Sequence, residues 1–298
     1  MSLIIDKCLI CNTKNINSLY DITDISVSKE SFNISECISC GFRWTTNPPT
    51  EEECGKYYAS ESYISHTDTH KGLVNKIYHL VRVMMLRKKA GLLVNKEIDN
   101  SLLDFGSGTG YFAGFMKNKG YKVLGIEMDD NARKASIEKF GIDARSPEYL
   151  SNGKIENKFG YITLWHVLEH LYDAHGQMEK FYHLLEDNGR LIIAVPNNKS
   201  YDCKYFGKDW EAYDVPKHLW HFNAQNIQSL ATEHGFQVVQ KYSMPFDPFW
   251  NSIQSVRKTK GAFISLVLGG FIGLRALIEG YMDTDKASSI IYVMTKTS

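Results

Sequence analysis

Three groups of residues in this 298-residue chain have the types and spacing to do chemistry. Residues 102–110 read Leu-Leu-Asp-Phe-Gly-Ser-Gly-Thr-Gly. The apolar start runs into Asp104, and glycines follow at 106, 108 and 110. The next apolar run ends on a second carboxylate, Glu127. Glycine lets backbone approach a ligand closely, and an acceptor-only carboxylate can take two neighbouring hydroxyls. The order strand, glycine turn, helix, strand, carboxylate is that of a nucleoside-binding unit. The second group is Cys8-Leu-Ile-Cys11 and Cys37-Ile-Ser-Cys40. Two such knuckles can present four thiolates to one tetrahedral zinc, and four cysteines leave no open position, so the metal would be structural. A redox pair would need a thioredoxin-like context, which these knuckles lack. The third group is histidine-rich: Trp165-His-Val-Leu-Glu-His-Leu171 and Val215-Pro-Lys-His-Leu-Trp-His-Phe222. Imidazole titrates near neutral pH and suits the removal of a proton from a nucleophile.

The glycine turn narrows further. A dinucleotide fingerprint places its third glycine where Tyr111 stands here, which weighs against NAD and FAD. What remains, Asp-x-Gly-x-Gly-x-Gly, resembles motif I of the class I S-adenosylmethionine-dependent methyltransferases. The resemblance implies that Asp104, Gly106, Ser107, Gly108 and Gly110 back onto the methionine part of the cofactor. It also implies that Glu127 takes the ribose hydroxyls, with Met128 and the backbone of His166 lining the cleft. Residues 165–171 resemble motif IV of a group that includes ubiquinone-biosynthesis O-methyltransferases and sugar methyltransferases, and residues 215–222 resemble a later segment of that group. The cysteine-bearing N-terminus is similar to that of sugar C-methyltransferases. The similarity runs from Cys8 to about Phe236. By this resemblance His170 and His218 fall near the substrate, and Glu169 orients His170 or binds a metal. Two readings stand: a metal-free histidine base, and a metal held by Glu169, His170 and His218. His221 would brace the loop. Members of the group often carry an aspartate for the adenine amino group, but residues 142–148 offer no register that assigns it.

These residues need elements to position them. A helix is expected over 131–140, a strand over 160–165, a helix ending near Leu185, and a strand over 190–195 after the turn Asp187-Asn-Gly189. Alternating strands and helices predict a mostly parallel sheet with covered faces. Residues 236–241 and 289–296 read as an antiparallel closing pair. The expected class is therefore α/β: a Rossmann-like methyltransferase sheet, mostly parallel with an antiparallel last strand, and a small N-terminal zinc ribbon. The expected division is a ribbon over 1–46, a linker and basic helix over 47–96, and a methyltransferase domain over 97–298. After the break at Asn47-Pro-Pro, Thr50-Glu-Glu-Glu starts a short helix, followed by Tyr57, Tyr58 and Tyr63. A longer helix over 71–96 carries Leu73, Ile77, Leu80, Val81, Met84 and Met85 at helical spacing. Its charges, from Lys71 and Lys76 through Arg82, Arg87, Lys88 and Lys89 to Lys96, are all positive. They form a solvated face over an apolar stripe, or a surface for an acidic substrate or anionic membrane.

Residues 243–286 are long for a hairpin connection. They hold Phe246, Phe249 and Trp250, then an apolar run over 261–274 flanked by Arg257, Lys258 and Lys260. That run is too short to span a bilayer as a helix. It packs on the domain or a partner subunit, or enters a membrane interface near a lipid-linked substrate.

Hydrophobic content of 43% and a formal net charge of +0 describe an ordinary soluble protein. The charge balance argues against nucleic acid as a partner. Six cysteines do not make a disulfide scaffold, and Cys54 and Cys203 read as packing residues. No basic stretch followed by an apolar core opens the sequence, so a cytoplasmic location is expected. The expected function is S-adenosylmethionine-dependent methyl transfer to a small molecule or glycan precursor. The alternative is a non-catalytic cofactor-binding adaptor that uses the ribbon to bind partners.

Overall fold

The computed structural model describes residues 3–58, 73–151 and 158–297. Three antiparallel strands open the chain: β1 (Ile16–Thr23), β2 (Ser31–Cys37) and β3 (Arg43–Thr45). Helix α1 (Leu73–Gly91) leads into the main domain. There follow β4 (Ser101–Phe105), α2 (Tyr111–Lys117), β5 (Lys122–Ile126), α3 (Asp130–Phe140) and β6 (Asp143–Arg145). Then come β7 (Phe159–Trp165), α4 (Ala174–Leu184), β8 (Leu185–Pro196), α5 (Tyr201–Phe206), the two-residue β9 (Trp220–His221) and α6 (Ala224–Glu233). Strand β10 (Phe236–Ser243), helices α7 (Asp247–Arg257) and α8 (Ala262–Met282), and β11 (Ser289–Lys296) complete the described chain.

Seven strands form one sheet in the order β10-β11-β8-β7-β4-β5-β6. Neighbours from β6 to β8 run parallel, and β11 is antiparallel to both of its neighbours. Successive residues of a strand face opposite sides. Leu103, Ile162, Leu191 and Ile193 therefore join one core with Met178, Phe181, Ile227 and Leu230. Leu102, Tyr161, Ile192 and Ala194 join the other with Ala90, Leu93, Phe112 and Met116. Both faces are covered, so the strands read as near-continuous apolar runs. The expected α/β sheet with its antiparallel last strand is what the chain forms.

Several elements differ from expectation. Strand β8 starts at Leu185 rather than after the turn. Its pairing with β7 jumps from Phe159 opposite Leu185 to Tyr161 opposite Arg190, so residues 186–189 bulge. Gly189 permits this, because a Cβ there would sit 2.8 Å from the Leu185 side chain. The short helix expected from Thr50 is a single 3-10 turn over Cys54–Tyr58. Helix α1 ends at Gly91, before Lys96, and Leu80 and Met84 are exposed instead of joining an apolar stripe. Among the described side chains of this helix, Met85, Leu86 and Ala90 in its last turns join the core under the sheet. Tyr63 and Lys71, and the side chains of Leu73, Lys76 and Ile77, lie outside the described residues.

The N-terminal strands have no separate core. Strand β3 pairs with β9, Arg43 opposite His221 and Trp44 opposite Trp220. Phe42 and Trp44, both fully buried, pack in the same cluster as Leu103 and Leu191. Ile22, Phe32 and Ile34 pack on Trp210, Tyr213 and Val215. The polar N-terminal sequence is thus stabilised by the main domain.

The insertion is a helical hairpin. Gly269 and Gly273 let α8 lie against α7, since a Cβ at either would stand 2.5 Å from the Ile253 Cα or 2.8 Å from the Phe249 Cα. Helix α8 runs past the apolar segment to Met282. Its 21 residues make it long and apolar enough to cross a membrane, against the expectation that the segment is too short, and 28% of its most apolar stretch is buried.

Candidate active site

The turn after β4 has all three glycines at positive φ: 75° at Gly106, 53° at Gly108 and 79° at Gly110. Each is glycine for a different reason. A Cβ on Gly106 would stand 2.3 Å from Val167 Cγ2, and one on Gly110 would stand 2.6 Å from Ser136 Cβ. A Cβ on Gly108 would meet no protein atom within 4 Å, so this position faces open space. The Glu127 carboxylate accepts from the backbone N–H groups of Gly108, at 2.8 Å, and Asp129, at 3.0 Å. Turn and carboxylate are therefore one unit, set at the carboxyl ends of β4 and β5. Ser107 is buried with its Oγ close to where a Gly125 side chain would start. Met128 is exposed and accepts through its carbonyl from Arg133.

Asp104 lies beneath the turn, 1% exposed, and accepts from the Thr163 hydroxyl at 2.8 Å. Burial lifts its pKa to about 7, against the pull of Thr163 and Lys89. Lys89 comes from α1 and sits over the Trp165 ring, 4.4 Å from its centroid. Burial lowers its pKa to about 8, although Asp104 and Asp247 oppose the shift. Neither side chain is on a solvated face.

At the end of β7 the chain turns sharply, with His166 at φ 58°. Its ring bridges two carboxylates, with Nδ1 3.3 Å from Glu169 and Nε2 3.1 Å from Asp247. Burial alone would lower its pKa, but the two carboxylates outweigh it and hold the value at about 10. Glu169 is fully buried, and its charged partner is His166 rather than His170. His170 is oriented instead by the Lys217 carbonyl and the Tyr58 hydroxyl, each 3.0 Å from Nδ1. Burial and the nearby His218 press its pKa to about 4. His218 donates Nδ1–H to the Ala212 carbonyl at 2.8 Å. The His170 and His218 rings meet edge to face at 4.6 Å. His221 is buried in β9 against Tyr213 and burial holds it neutral, which suits a brace.

The histidine segments are tied together by backbone. Leu219 N–H donates to the Glu169 carbonyl at 2.8 Å, and the Trp220 indole donates to the Leu171 carbonyl at 2.6 Å. The Thr45 hydroxyl donates to the His218 carbonyl at 2.7 Å, so β3 holds this segment from the other side.

The four cysteines of the knuckles also converge. Sγ separations are 3.5 Å for Cys8–Cys40 and Cys11–Cys37 and 3.7 Å for Cys11–Cys40, and none of these thiols is in a disulfide. Four sulfurs at about 2.3 Å from one zinc would stand about 3.8 Å apart. The residues fit that metal. The knuckle is anchored by His175, whose ring lies 2.9 Å from the Leu9 carbonyl and 2.8 Å from His234.

Sequence reasoning missed Lys89, Asp247 and Thr163. Lys89 was one positive charge among seven on its helix. Asp247 opens the insertion, far along the chain from His166. Thr163 was read only as part of a strand. The glycines, Glu127, Glu169 and the histidines were visible because each sits in a compact motif.

A family model described as a methyltransferase domain matches residues 79–241, more than half of the chain. No curated protein matches the sequence. Among solved structures, magnesium protoporphyrin IX methyltransferase from Synechocystis PCC 6803, with bound S-adenosylhomocysteine, aligns with a TM-score of 0.52 at 13% identity. It covers 81% of this chain and 97% of that one. A proposed sarcosine dimethylglycine methyltransferase from Galdieria sulphuraria aligns with a TM-score of 0.50 at 16% identity, covering 75% of this chain and 88% of the other. These likenesses concern the fold. With the family match over the glycine turn and the His166–His218 corner, they place this chain in the methyltransferase-domain family, as a class I S-adenosylmethionine-dependent enzyme.

Proposed function

We propose that the enzyme methylates a small acceptor, a glycan precursor or a phenol of the ubiquinone-precursor type, at the corner formed by Glu169, His170 and His218. One observation carries this reading. The glycine turn touches the histidine loop, because Gly106 leaves no room beside Val167. Donor and acceptor groups are thereby adjacent at the carboxyl ends of β4 and β7, where open α/β sheets bind ligands. The sulfonium methyl leaves readily, so what the protein must supply is loss of the acceptor proton, and the adjacent imidazole pair supports a base at this corner. Asp104 supports the turn, while Gly106, Ser107, Gly108, Gly110, Glu127 and Met128 line the donor side with the backbone of His166. No observation favours the adaptor reading.

We assign zinc to Cys8, Cys11, Cys37 and Cys40 in a structural role, and a reducing, cytoplasmic setting that keeps those thiols available. We further propose that α8 lies in a membrane interface. Phe263, Leu266, Val267, Phe271, Leu274, Ile278, Tyr281 and Met282 are exposed on it, with Trp250 on α7. Such a patch marks an interaction surface. Arg257 and Lys260 stand exposed at its start, suited to anionic lipid. An acceptor carried on a lipid would then meet the site from the side of the insertion that contributes Asp247.

Calorimetry with S-adenosylmethionine tests the donor site: Glu127→Ala weakens binding at least about tenfold if the carboxylate takes two hydroxyls, each worth about 1 kcal/mol or more. S-adenosylhomocysteine release with a panel of nucleotide sugars and phenols tests the acceptor site, and it is lost in His170→Ala and His218→Ala. Flotation with anionic vesicles tests the surface: no binding by the wild type, or undiminished binding by Phe263→Ser/Phe271→Ser, sinks the membrane reading.

A further inference from the structure

His175 opens helix α4, and Glu233 and His234 stand where α6 ends. Neither histidine belongs to the corner after β7. Their rings meet nitrogen to nitrogen, with His175 Nδ1 2.8 Å from His234 Nε2. The other nitrogen of His175 lies 2.9 Å from the Leu9 carbonyl. A carbonyl only accepts, so Nε2 carries the proton and the neutral ring keeps its lone pair on Nδ1. The Glu233 carboxylate is 3.9 Å from that same Nδ1. One donor atom each from His175, Glu233 and His234 lie within 4.8 Å of one another. Further negative charge acts on His234 from Glu179 and Asp173. Two imidazoles and a carboxylate thus converge in a negative field. The Glu233 side chain is 54% exposed, so ions from solution reach the place.

We propose that His175, His234 and Glu233 bind a divalent cation, zinc first among the candidates, as a second metal site beside the cysteine knuckle. Imidazole and carboxylate ligands suit zinc, cobalt(II) and nickel(II). A backbone carbonyl behind the far nitrogen is the usual support of a metal-bound imidazole, and Leu9 supplies it. Two nitrogens at about 2.0–2.1 Å from one cation stand about 3 Å apart, close to the distance the rings already keep. Without metal, one proton lies between the two nitrogens. On binding, His234 carries that proton on Nδ1 instead, both facing nitrogens take the cation, and water fills the remaining position. Leu9 lies between Cys8 and Cys11. A cation on Nδ1 makes the opposite N–H of His175 a stronger donor to Leu9, so the knuckle is held more firmly when the histidine site is filled. Occupancy of either site then favours the other. The coupling rests on the zinc assigned to the four cysteines. The histidine site rests neither on that assignment nor on the methyl-transfer reading.

The test uses the full chain, purified with zinc and dialysed against a weak chelator that leaves the cysteine site filled. Zinc is then titrated in by calorimetry, and the wild type is expected to bind a further equivalent. His234→Gln, which leaves the His175–Leu9 hydrogen bond in place, should weaken that equivalent at least about a hundredfold, the upper end of what loss of an outer-shell partner costs. Glu233→Gln should weaken it less. Unchanged far-UV circular dichroism and S-adenosylmethionine affinity show that the fold persists in both variants. Hydrogen exchange over residues 8–12 should slow when the further equivalent is added to the wild type, and should not in His234→Gln. A wild type that takes no further zinc overturns the site and leaves the ring pair as a hydrogen bond only. A His234→Gln variant that binds the further equivalent with undiminished affinity overturns it as well. A filled site with exchange over residues 8–12 unchanged overturns the coupling alone.

Discussion

Two neighbouring glycines in the donor turn separate folding from binding. Alanine at Gly106 meets both a positive φ and the Val167 side chain. The conformational cost is about 1–2 kcal/mol and the crowding adds about 1–3 kcal/mol. Gly106→Ala is therefore expected to lower the unfolding free energy by about 2–5 kcal/mol in urea titration. Alanine at Gly108 meets no protein atom within 4 Å. Gly108→Ala should lose only about 1–2 kcal/mol of stability, with its larger effect on cofactor affinity. Equal stability losses in the two variants would contradict this division. His166 gives a pH prediction of defined sign. Its folded pKa of about 10 exceeds the ordinary value of 6.5 because Asp247 and Glu169 outweigh burial. A raised pKa means that the folded state holds the proton more tightly, so the contribution is complete below about 6.5 and is lost as pH rises toward 10. Melting temperature, measured with chelator present, should fall across that window in the wild type. It should fall less in His166→Gln, and parallel curves would contradict the assignment. At this scale the sequence was informative wherever chemistry sits in a short motif. It was silent on Lys89 and Asp247, because their roles come from elements brought to the site by the fold.

The four-stranded sheet joins the cysteine module to the histidine corner. Strand β3 pairs with β9, and Thr45 holds the His218 carbonyl. Loosening the knuckles should therefore be felt at His218. Cys40→Ser, or removal of the proposed zinc, is expected to lower both the melting temperature and turnover while S-adenosylmethionine affinity changes little. A drop in affinity equal to the drop in turnover would show general unfolding instead. Trp44→Ala removes a fully buried indole from the shared core and should cost about 3–5 kcal/mol. The cysteine spacing was legible, but the sharing of a core was not. Polar composition shows that a segment cannot stabilise itself; it does not show which surface it joins. The β8 bulge was likewise hidden, because a turn signal at residues 187–189 reads alike whether the strand starts there or continues through it.

At the scale of the molecule, the alternation of strands and helices sufficed for a mostly parallel sheet, and the two closing strands were placed correctly. The insertion was less legible. Apolar runs do not say whether they face a core or the outside, and α8 turns Ser265, Gly269, Gly273, Ala276 and Gly280 inward with Ile272, and most of its large residues outward. Strand β11 has one more consequence. It follows every other described strand of the sheet in sequence, yet it sits inside the sheet between β8 and β10. On the ribosome, the sheet cannot close until residues 289–296 have emerged, whereas α8 is already outside. Two open strand edges and an apolar helix are then exposed together, and open edges invite pairing with other chains. A stop codon introduced at Ser289 should therefore yield aggregate in the pellet rather than a soluble protein with reduced activity. Pulse-chase proteolysis should show the wild type becoming protease-resistant only once residues 289–296 have left the ribosome.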